Sequence, residues 1–155
     1  MTAYVEPVMV IVDDDESQVI VLKSMLEKTG YRVMTANSAA AALDITRSLD
    51  EPIELLVTDV VMPNMDGKAL AAEIRKDQPK VRVLYVTAFP DELFGENGLL
   101  GPLDAFIEKP FSQEGLLEAV RMLLRRPVHH KSESSSSPEG SKERRRRRSN
   151  PRRSD

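Results

Sequence analysis

The chain has 155 residues, of which 41% are hydrophobic and 30% charged, and this composition suits one globular domain with residues to spare. It contains no Cys, no apolar run long enough to span a membrane and no signal-peptide pattern at its start. We therefore expect neither secretion nor an integral membrane segment, and we predict a cytoplasmic protein.

The net charge of −3 is unevenly distributed along the chain. Residues 127–155 hold nine Lys or Arg against four Asp or Glu, and this +5 leaves −8 on residues 1–126. The same stretch contains four consecutive Ser and five consecutive Arg, and Val128 is its only aliphatic residue, so it cannot bury a core. These differences predict a short lead over 1–6, a folded domain over 7–126 and a disordered basic tail over 127–155.

The residue pattern of the domain predicts strands that alternate with helices. Continuous aliphatic runs favour strands buried on both faces, and apolar residues at helical spacing favour helices packed on them. In chain order we predict strand 7–12, helix 16–29, strand 31–35, helix 39–49, strand 55–58, a helix after the turn 62–67, strand 81–87, strand 105–108 and a helix after Ser112.

Several residues mark the ends of these helices. Gln18 lies three residues after Asp15, as in a capping box, and Gly30 stops the first helix. The residues predicted to cap helices are Asp15, Asp66 and Ser112, and Ser38 precedes the second helix. Residues 91–104 fit no regular element. Their three glycines and one proline cost a helix on the order of several kcal/mol relative to Ala, so we predict a short or irregular fourth helix.

Residues with useful chemistry follow four of the predicted strands. Asp13, Asp14 and Asp15 follow the first strand, Asp59 the third, and Thr87 and Lys109 the last two. Because the carboxyl ends of parallel strands meet at one edge of the sheet, we expect these side chains to lie close together. Asp13–Asp15 taken alone would equally suit a solvated helix cap.

An aspartate carboxylate can attack phosphorus, but several crowded carboxylates repel an incoming phosphoryl group, so a cation is needed. Hard oxygen ligands favour Mg²⁺, and Mn²⁺ is chemically close. Asp14 and Asp59 suit such a metal site, with Asp13 beside them. The Lys109 ammonium and the Thr87 hydroxyl would hold the phosphoryl oxygens from other sides.

These residues resemble the receiver domain of two-component response regulators. The resemblance covers about residues 8–124, and its motifs are Asp13-Asp14, Asp59 with Met62-Pro63 and Asp66-Gly67 after it, Thr87-Ala88, and Lys109-Pro110-Phe111. Each motif alone is weak, whereas the ordered set is highly specific. The irregular 91–104 segment is most similar to receivers attached to hybrid histidine kinases.

The resemblance implies roles for several residues of these motifs. Asp59 is the phosphoacceptor, Asp13 and Asp14 bind the metal directly or through water, and the backbone carbonyl of Val61 completes the metal site. Thr87, with Ala88 after it, and Lys109 bind the phosphoryl oxygens.

Further positions take their roles from the same resemblance. The Lys109–Pro110 bond is expected to be cis, which would help to aim the lysine. The side chains of Val61 and Phe89 tune hydrolysis of the phosphate. Phe106 stands where many receivers carry a switch tyrosine, and it is either the switch residue or plain core.

The fold class predicted by alternating strands and helices is α/β, with a doubly wound, five-stranded parallel sheet and helices on both faces. Its strand order, 2-1-3-4-5, is adopted from flavodoxin-like sheets rather than worked out from the residues. The function that follows is a single-domain phosphorelay switch rather than a turnover enzyme. Its partners would be a histidine kinase or histidine phosphotransfer protein and an unidentified downstream protein. The tail would bind polyanions weakly or only solubilise the chain.

Two other functions remain open at this stage. A phosphatase of the haloacid dehalogenase class also uses an aspartate nucleophile, and Asp13–Asp15 has its Asp-x-Asp spacing. Glu16-Ser17 stands where that class has Gly-Thr, and no late acidic pair follows the fourth strand. A flavodoxin would need a hydroxyl- and glycine-rich loop after the first strand, where three aspartates would repel the flavin phosphate.

Overall fold

The computed structural model describes residues 7–94 and 100–125. The strands are β1 (Val8–Val12), β2 (Arg32–Ala36), β3 (Leu55–Thr58), β4 (Arg82–Thr87) and β5 (Asp104–Glu108). The helices are α1 (Glu16–Glu27), α2 (Ala39–Ser48), α3 (Gly67–Asp77), α4 (Pro90–Phe94) and α5 (Gln113–Arg125). The predicted lead and basic tail lie outside the described residues, and no helix among those described is long and apolar enough to cross a membrane.

The five strands form one parallel sheet in the order β2-β1-β3-β4-β5, which confirms the predicted fold class and strand order. β1 and β3 are completely buried, as their aliphatic runs predict. Their register pairs Val12 with Thr58, so the residues that follow the two strands emerge side by side.

Two apolar cores cover the two faces of the sheet. On one face, α2, α3 and α4 bury residues such as Ala42, Leu70 and Leu93 against alternate strand residues. On the other face, Leu26 of α1 and Leu123 of α5 complete the second core. Because side chains of a strand point alternately to the two faces, each central strand contributes to both cores and the helices lie on both sides.

The three predicted caps are present, and Ser38 also caps the helix that it precedes. The side chains of Asp15, Ser38, Asp66 and Ser112 each accept a hydrogen bond from a backbone N–H of the helix that follows. The capping box at α1 was a wrong prediction. The Asp15 N–H, which Gln18 would have bonded, donates instead to Asp13 Oδ1 at 2.9 Å, and Gln18 Oε1 has no hydrogen-bond partner among the described residues.

The fourth helix is short where the structure describes it. α4 has five residues, Pro90–Phe94, and the described chain resumes at Leu100. Gly95 and Gly98, on which the prediction of an irregular helix partly depends, lie outside the described residues. β5 starts at Asp104, one residue earlier than predicted, and its Asp104 N–H bonds the carbonyl of Gly101.

Candidate functional site

The ends of β1 and β3 bring the predicted acidic residues together. Asp59 donates its N–H to the carbonyl of Val12 at 3.1 Å, which fixes the backbone after β3 beside that after β1. Carboxylate oxygens of Asp13, Asp14 and Asp59 lie within 4.8 Å of one another. Asp13 is 1% exposed and Asp59 9%, while Asp14 faces solvent. The structure thus forms an acidic cluster at the sheet edge with one open side.

Lys109 enters this cluster from the end of β5. Its N–H donates to the carbonyl of Thr87 at 2.8 Å, and the peptide bond to Pro110 is cis, as the resemblance implied. Its ammonium lies 3.0 Å from Asp13 Oδ2 and 3.0 Å from Asp59 Oδ2. One side chain therefore joins two carboxylates that follow different strands.

The surroundings of Asp13 and Lys109 shift the pKa values of both side chains. Burial raises the pKa of the Asp13 carboxyl, although the Asp15 N–H and the Lys109 ammonium oppose the rise. Burial alone would lower the pKa of Lys109, but hydrogen bonds and charges from Asp13 and Asp59 outweigh it and raise the pKa. The ammonium therefore stays charged at neutral pH and supplies the described cluster with a fixed positive charge.

The backbone after β3 orients the Asp59 carboxylate. Asp59 Oδ1 accepts the N–H of Val60 at 2.6 Å and that of Val61 at 3.3 Å, while Oδ2 faces Lys109. Both carboxylate oxygens are therefore held at fixed positions. The metal-binding role of the Val61 carbonyl stays a prediction, and its side chain is 46% exposed beside the cluster.

Gly67 is a supporting residue to which neither the predicted turn nor the Asp66-Gly67 motif assigned a role. Its N–H donates to the carbonyl of Val60 at 2.7 Å, and a Cβ on it would lie 2.1 Å from the Asp59 carbonyl oxygen. Only a glycine lets the start of α3 approach the phosphoacceptor candidate so closely. The Asp66-Gly67 pair, with an N-cap before a glycine, was the available signal.

We expect Gly67→Ala to lower the free energy of unfolding by about 2 kcal/mol or more, because the added methyl group meets backbone that cannot rotate away. Urea denaturation measures the change. Gly115→Ala is the matched control, since its Cβ would lie 3.2 Å from the Ser112 hydroxyl, the end of a side chain that can move. Equal losses in the two variants would contradict the close-approach explanation.

The end of β4 provides the remaining predicted residues. Thr87 is completely buried, and its Oγ accepts the N–H of Phe89 at 2.9 Å. Ala88 is exposed, and the Phe89 side chain is 59% exposed. β4 lies beside β3, with Tyr85 opposite Thr58, so Thr87 follows on the same edge of the sheet as Asp59.

Phe106 lies in the middle of β5, partly buried against the core that includes α4. Its ring meets Phe94 edge-on, with centroids 5.3 Å apart and planes at 88°. This packing gives Phe106 a contact with the core, in agreement with the prediction that it is a core residue. Its role as a switch residue stays a prediction.

Comparison with known families matches residues 9–121 to the family described as "Response regulator receiver domain". The chain belongs to this family. The match covers every strand except the first residue of β1 and includes each predicted site residue. Receiver domains of response regulators act in signalling and are generally not enzymes, and they interact with histidine kinases. This membership therefore makes the chain a signalling domain of two-component systems.

Individual relatives of this receiver domain include a kinase and a transcriptional regulator. The sensor kinase CckA of Brucella abortus is 35% identical over 65% of this chain and 11% of its own length. The regulatory protein PhoP of Bacillus subtilis is 34% identical over 75% of this chain and 48% of its own length. This chain thus spans less than half the length of either curated relative. A solved receiver protein from Sinorhizobium medicae is 27% identical, with a TM-score of 0.69 over 79% of this chain and 98% of that chain.

Proposed function

We propose that this receiver domain is a cytoplasmic phosphorelay switch that accepts a phosphoryl group on Asp59. The observation that carries the proposal is the fixed carboxylate, with Oδ1 held by two backbone N–H groups and Oδ2 facing the Lys109 ammonium. The donor would be the phosphohistidine of a histidine kinase or of a histidine phosphotransfer protein. A phosphorylation-dependent surface would then bind an unidentified downstream protein.

The reaction uses groups that the site already holds in position. An Asp59 oxygen attacks phosphorus, and the new O–P bond forms as the P–N bond of phosphohistidine breaks, with its electron pair going to the imidazole nitrogen. The Lys109 ammonium, freed from Asp59 Oδ2, then contacts a phosphoryl oxygen. The Thr87 hydroxyl donates to another. The chain thus assists its own phosphorylation and hydrolysis without turning over a separate substrate.

The acidic cluster suits a divalent cation. Asp13, Asp14 and Asp59 supply three carboxylates within 4.8 Å, and Lys109 compensates only one of the three charges. A set of oxygen ligands with excess negative charge suits Mg²⁺, and Mn²⁺ could take its place. The Val61 carbonyl would be a further ligand. When bound, the ion would offset the repulsion between these carboxylates and the incoming phosphoryl oxygens.

Intact mass after incubation with acetyl phosphate tests the proposal. The protein should gain one phosphoryl group in the presence of Mg²⁺, and a chelator should abolish the gain. An equal gain without any divalent ion would rule out the metal-assisted mechanism. Release of inorganic phosphate from many ester substrates, or a bound yellow flavin, would favour the phosphatase or the flavodoxin.

The phosphorylated form should be comparatively long-lived, because Val61 and Phe89 offer no hydrogen bond to an attacking water at the exposed side of the site. Val61→Asn combined with Phe89→Glu should speed loss of the phosphoryl mass at least about tenfold, which is less than the roughly hundredfold minimum typical of a fully positioned acid–base group. Met122→Glu is the matched control, since Met122 is 51% exposed on α5. Unchanged decay in the double variant would show that these positions do not tune hydrolysis.

The basic tail, which lies outside the described residues, should bind polyanions weakly and without sequence preference. Seven Arg at 144–148, 152 and 153 can displace counterions, and no aromatic residue among them can stack on bases. Titration of labelled DNA, RNA and anionic vesicles should therefore show binding that falls steeply with salt. A chain ending at Arg126 is the control. Equal binding by both chains would leave the tail a solubilising segment.

A further inference from the structure

Helix α4 is held at its beginning by the phosphoryl-binding threonine. The Phe89 N–H, one residue before α4, donates to Thr87 Oγ at 2.9 Å. The side chain of Leu93, 2% exposed, anchors the helix in the core, and Phe94 packs edge-on against Phe106. A short helix with one buried anchor gains little stability from its own hydrogen bonds, so contacts with other elements decide its position.

A second polar contact holds α4 at its other end. The ammonium of Lys68, in the first turn of α3, lies 3.1 Å from the carbonyl oxygen of Leu93. Carbonyl groups near the carboxyl end of a helix carry partial negative charge, which a lysine ammonium complements. The bond is partly buried, so water competes for it less than at an open surface.

The backbone next to Lys68 packs against the backbone at Asp59, the proposed phosphoacceptor. This lysine follows Gly67, whose N–H bonds the Val60 carbonyl and on which a Cβ would lie 2.1 Å from the carbonyl oxygen of Asp59. The base of the lysine therefore cannot shift independently of Asp59. These contacts connect the residues after β3 to the end of α4, and neither Thr87 nor Phe106 takes part in them.

We propose that Lys68 is a positioning residue that holds α4 in its unphosphorylated arrangement. The part of this inference that concerns switching rests on the proposed function. When the Thr87 hydroxyl turns to the phosphoryl group, the Phe89 N–H loses its partner and the beginning of α4 is released. The Lys68 bond to Leu93 then opposes displacement of the helix. The strength of this bond sets how far phosphorylation moves the equilibrium.

The absence of cysteine from the chain allows a direct test on the unphosphorylated protein. A thiol introduced by Leu93→Cys is buried, so its labelling rate with a thiol reagent reports the opening of α4. In that background, Lys68→Met should speed labelling about tenfold, the loss expected for one charged hydrogen bond. Lys68→Arg should retain most of the protection. Lys76→Met is the matched control, because Lys76 lies on α3 but pairs with Glu73.

A second thiol distinguishes positioning from general destabilisation. Leu22→Cys places it in the core on the opposite face of the sheet, where Leu22 is 1% exposed. Lys68→Met should leave labelling at position 22 within twofold of its parent. Equal labelling of the Lys68→Met and Lys76→Met chains at position 93, or equal acceleration at both thiols, would overturn the inference.

Acetyl phosphate with Mg²⁺ separates this inference from the proposed function. It should speed labelling at position 93 in the Lys68 chain, and labelling of phosphorylated Lys68→Met should be faster still, because neither the Thr87 contact nor the Lys68 contact then holds the helix. A Lys68→Met effect that persists while acetyl phosphate changes neither chain would support the tether and count against the phosphorylation switch.

Discussion

Asp59→Asn should show no gain of phosphoryl mass on incubation with acetyl phosphate and Mg²⁺, while the unaltered chain gains one group. The substitution keeps the size of the side chain and at least one oxygen for the N–H groups of Val60 and Val61. It removes the anionic nucleophile, which an uncharged amide cannot replace. The fold should therefore persist while phosphorylation is lost.

The control for this prediction is Asp44→Asn, which alters an exposed aspartate on α2 that is not part of the acidic cluster. It should be phosphorylated to the same extent as the unaltered chain. Circular dichroism and urea denaturation of both variants show whether the fold is retained. Labelling of Asp59→Asn to the extent of Asp44→Asn would exclude Asp59 as the phosphoacceptor.

Lys109→Ala should lower the free energy of unfolding by about 3 kcal/mol in the absence of divalent ions, the lower end for breaking a buried ion pair. The ammonium lies between Asp13 and Asp59, whose side chains are 1% and 11% exposed, and its removal leaves both carboxylates without their cation. Added Mg²⁺ should restore part of the stability. Phosphorylation should proceed without the structural change that normally follows it.

Urea denaturation with and without Mg²⁺ measures this effect, and thiol labelling at position 93 measures the structural change. Lys80→Ala, at an exposed position before β4, is the matched control and should stay within about 0.5 kcal/mol of the unaltered chain. A loss no larger than that of the control, or normal phosphorylation-dependent opening of α4, would contradict the role given to Lys109.

Most of the fold could be predicted because its causes are local. The aliphatic runs of β1 and β3 identify strands buried on both faces, and the caps and apolar spacings identify the helices. The strand order could not be worked out in the same way, because it depends on which strands pair across the sheet. It had to be adopted from related folds, and the structure confirms it.

The candidate site also contains residues that could be predicted from local patterns and residues that could not. Asp13, Asp59 and Lys109 could be found because each follows a recognisable strand at a common sheet edge. The strand-end position of Lys109 does not reveal that its ammonium lies between two buried carboxylates, which the structure shows. The Asp66-Gly67 pair was the only signal of the close approach of Gly67 to Asp59. The contact of Lys68 with Leu93 joins residues 25 positions apart, and no local pattern indicates it.

The pairing of Lys109 with Asp13 joins residues 96 positions apart in the chain. During synthesis the carboxylates of β1 and β3 emerge long before β5 supplies their ammonium, so an incomplete chain carries them without that partner. Such a distant contact forms late, because its loop-closure entropy is lost before the contact contributes. The two carboxylates should therefore gain their compensating charge only after β5 has joined the sheet, which ties completion of the site to completion of the sheet.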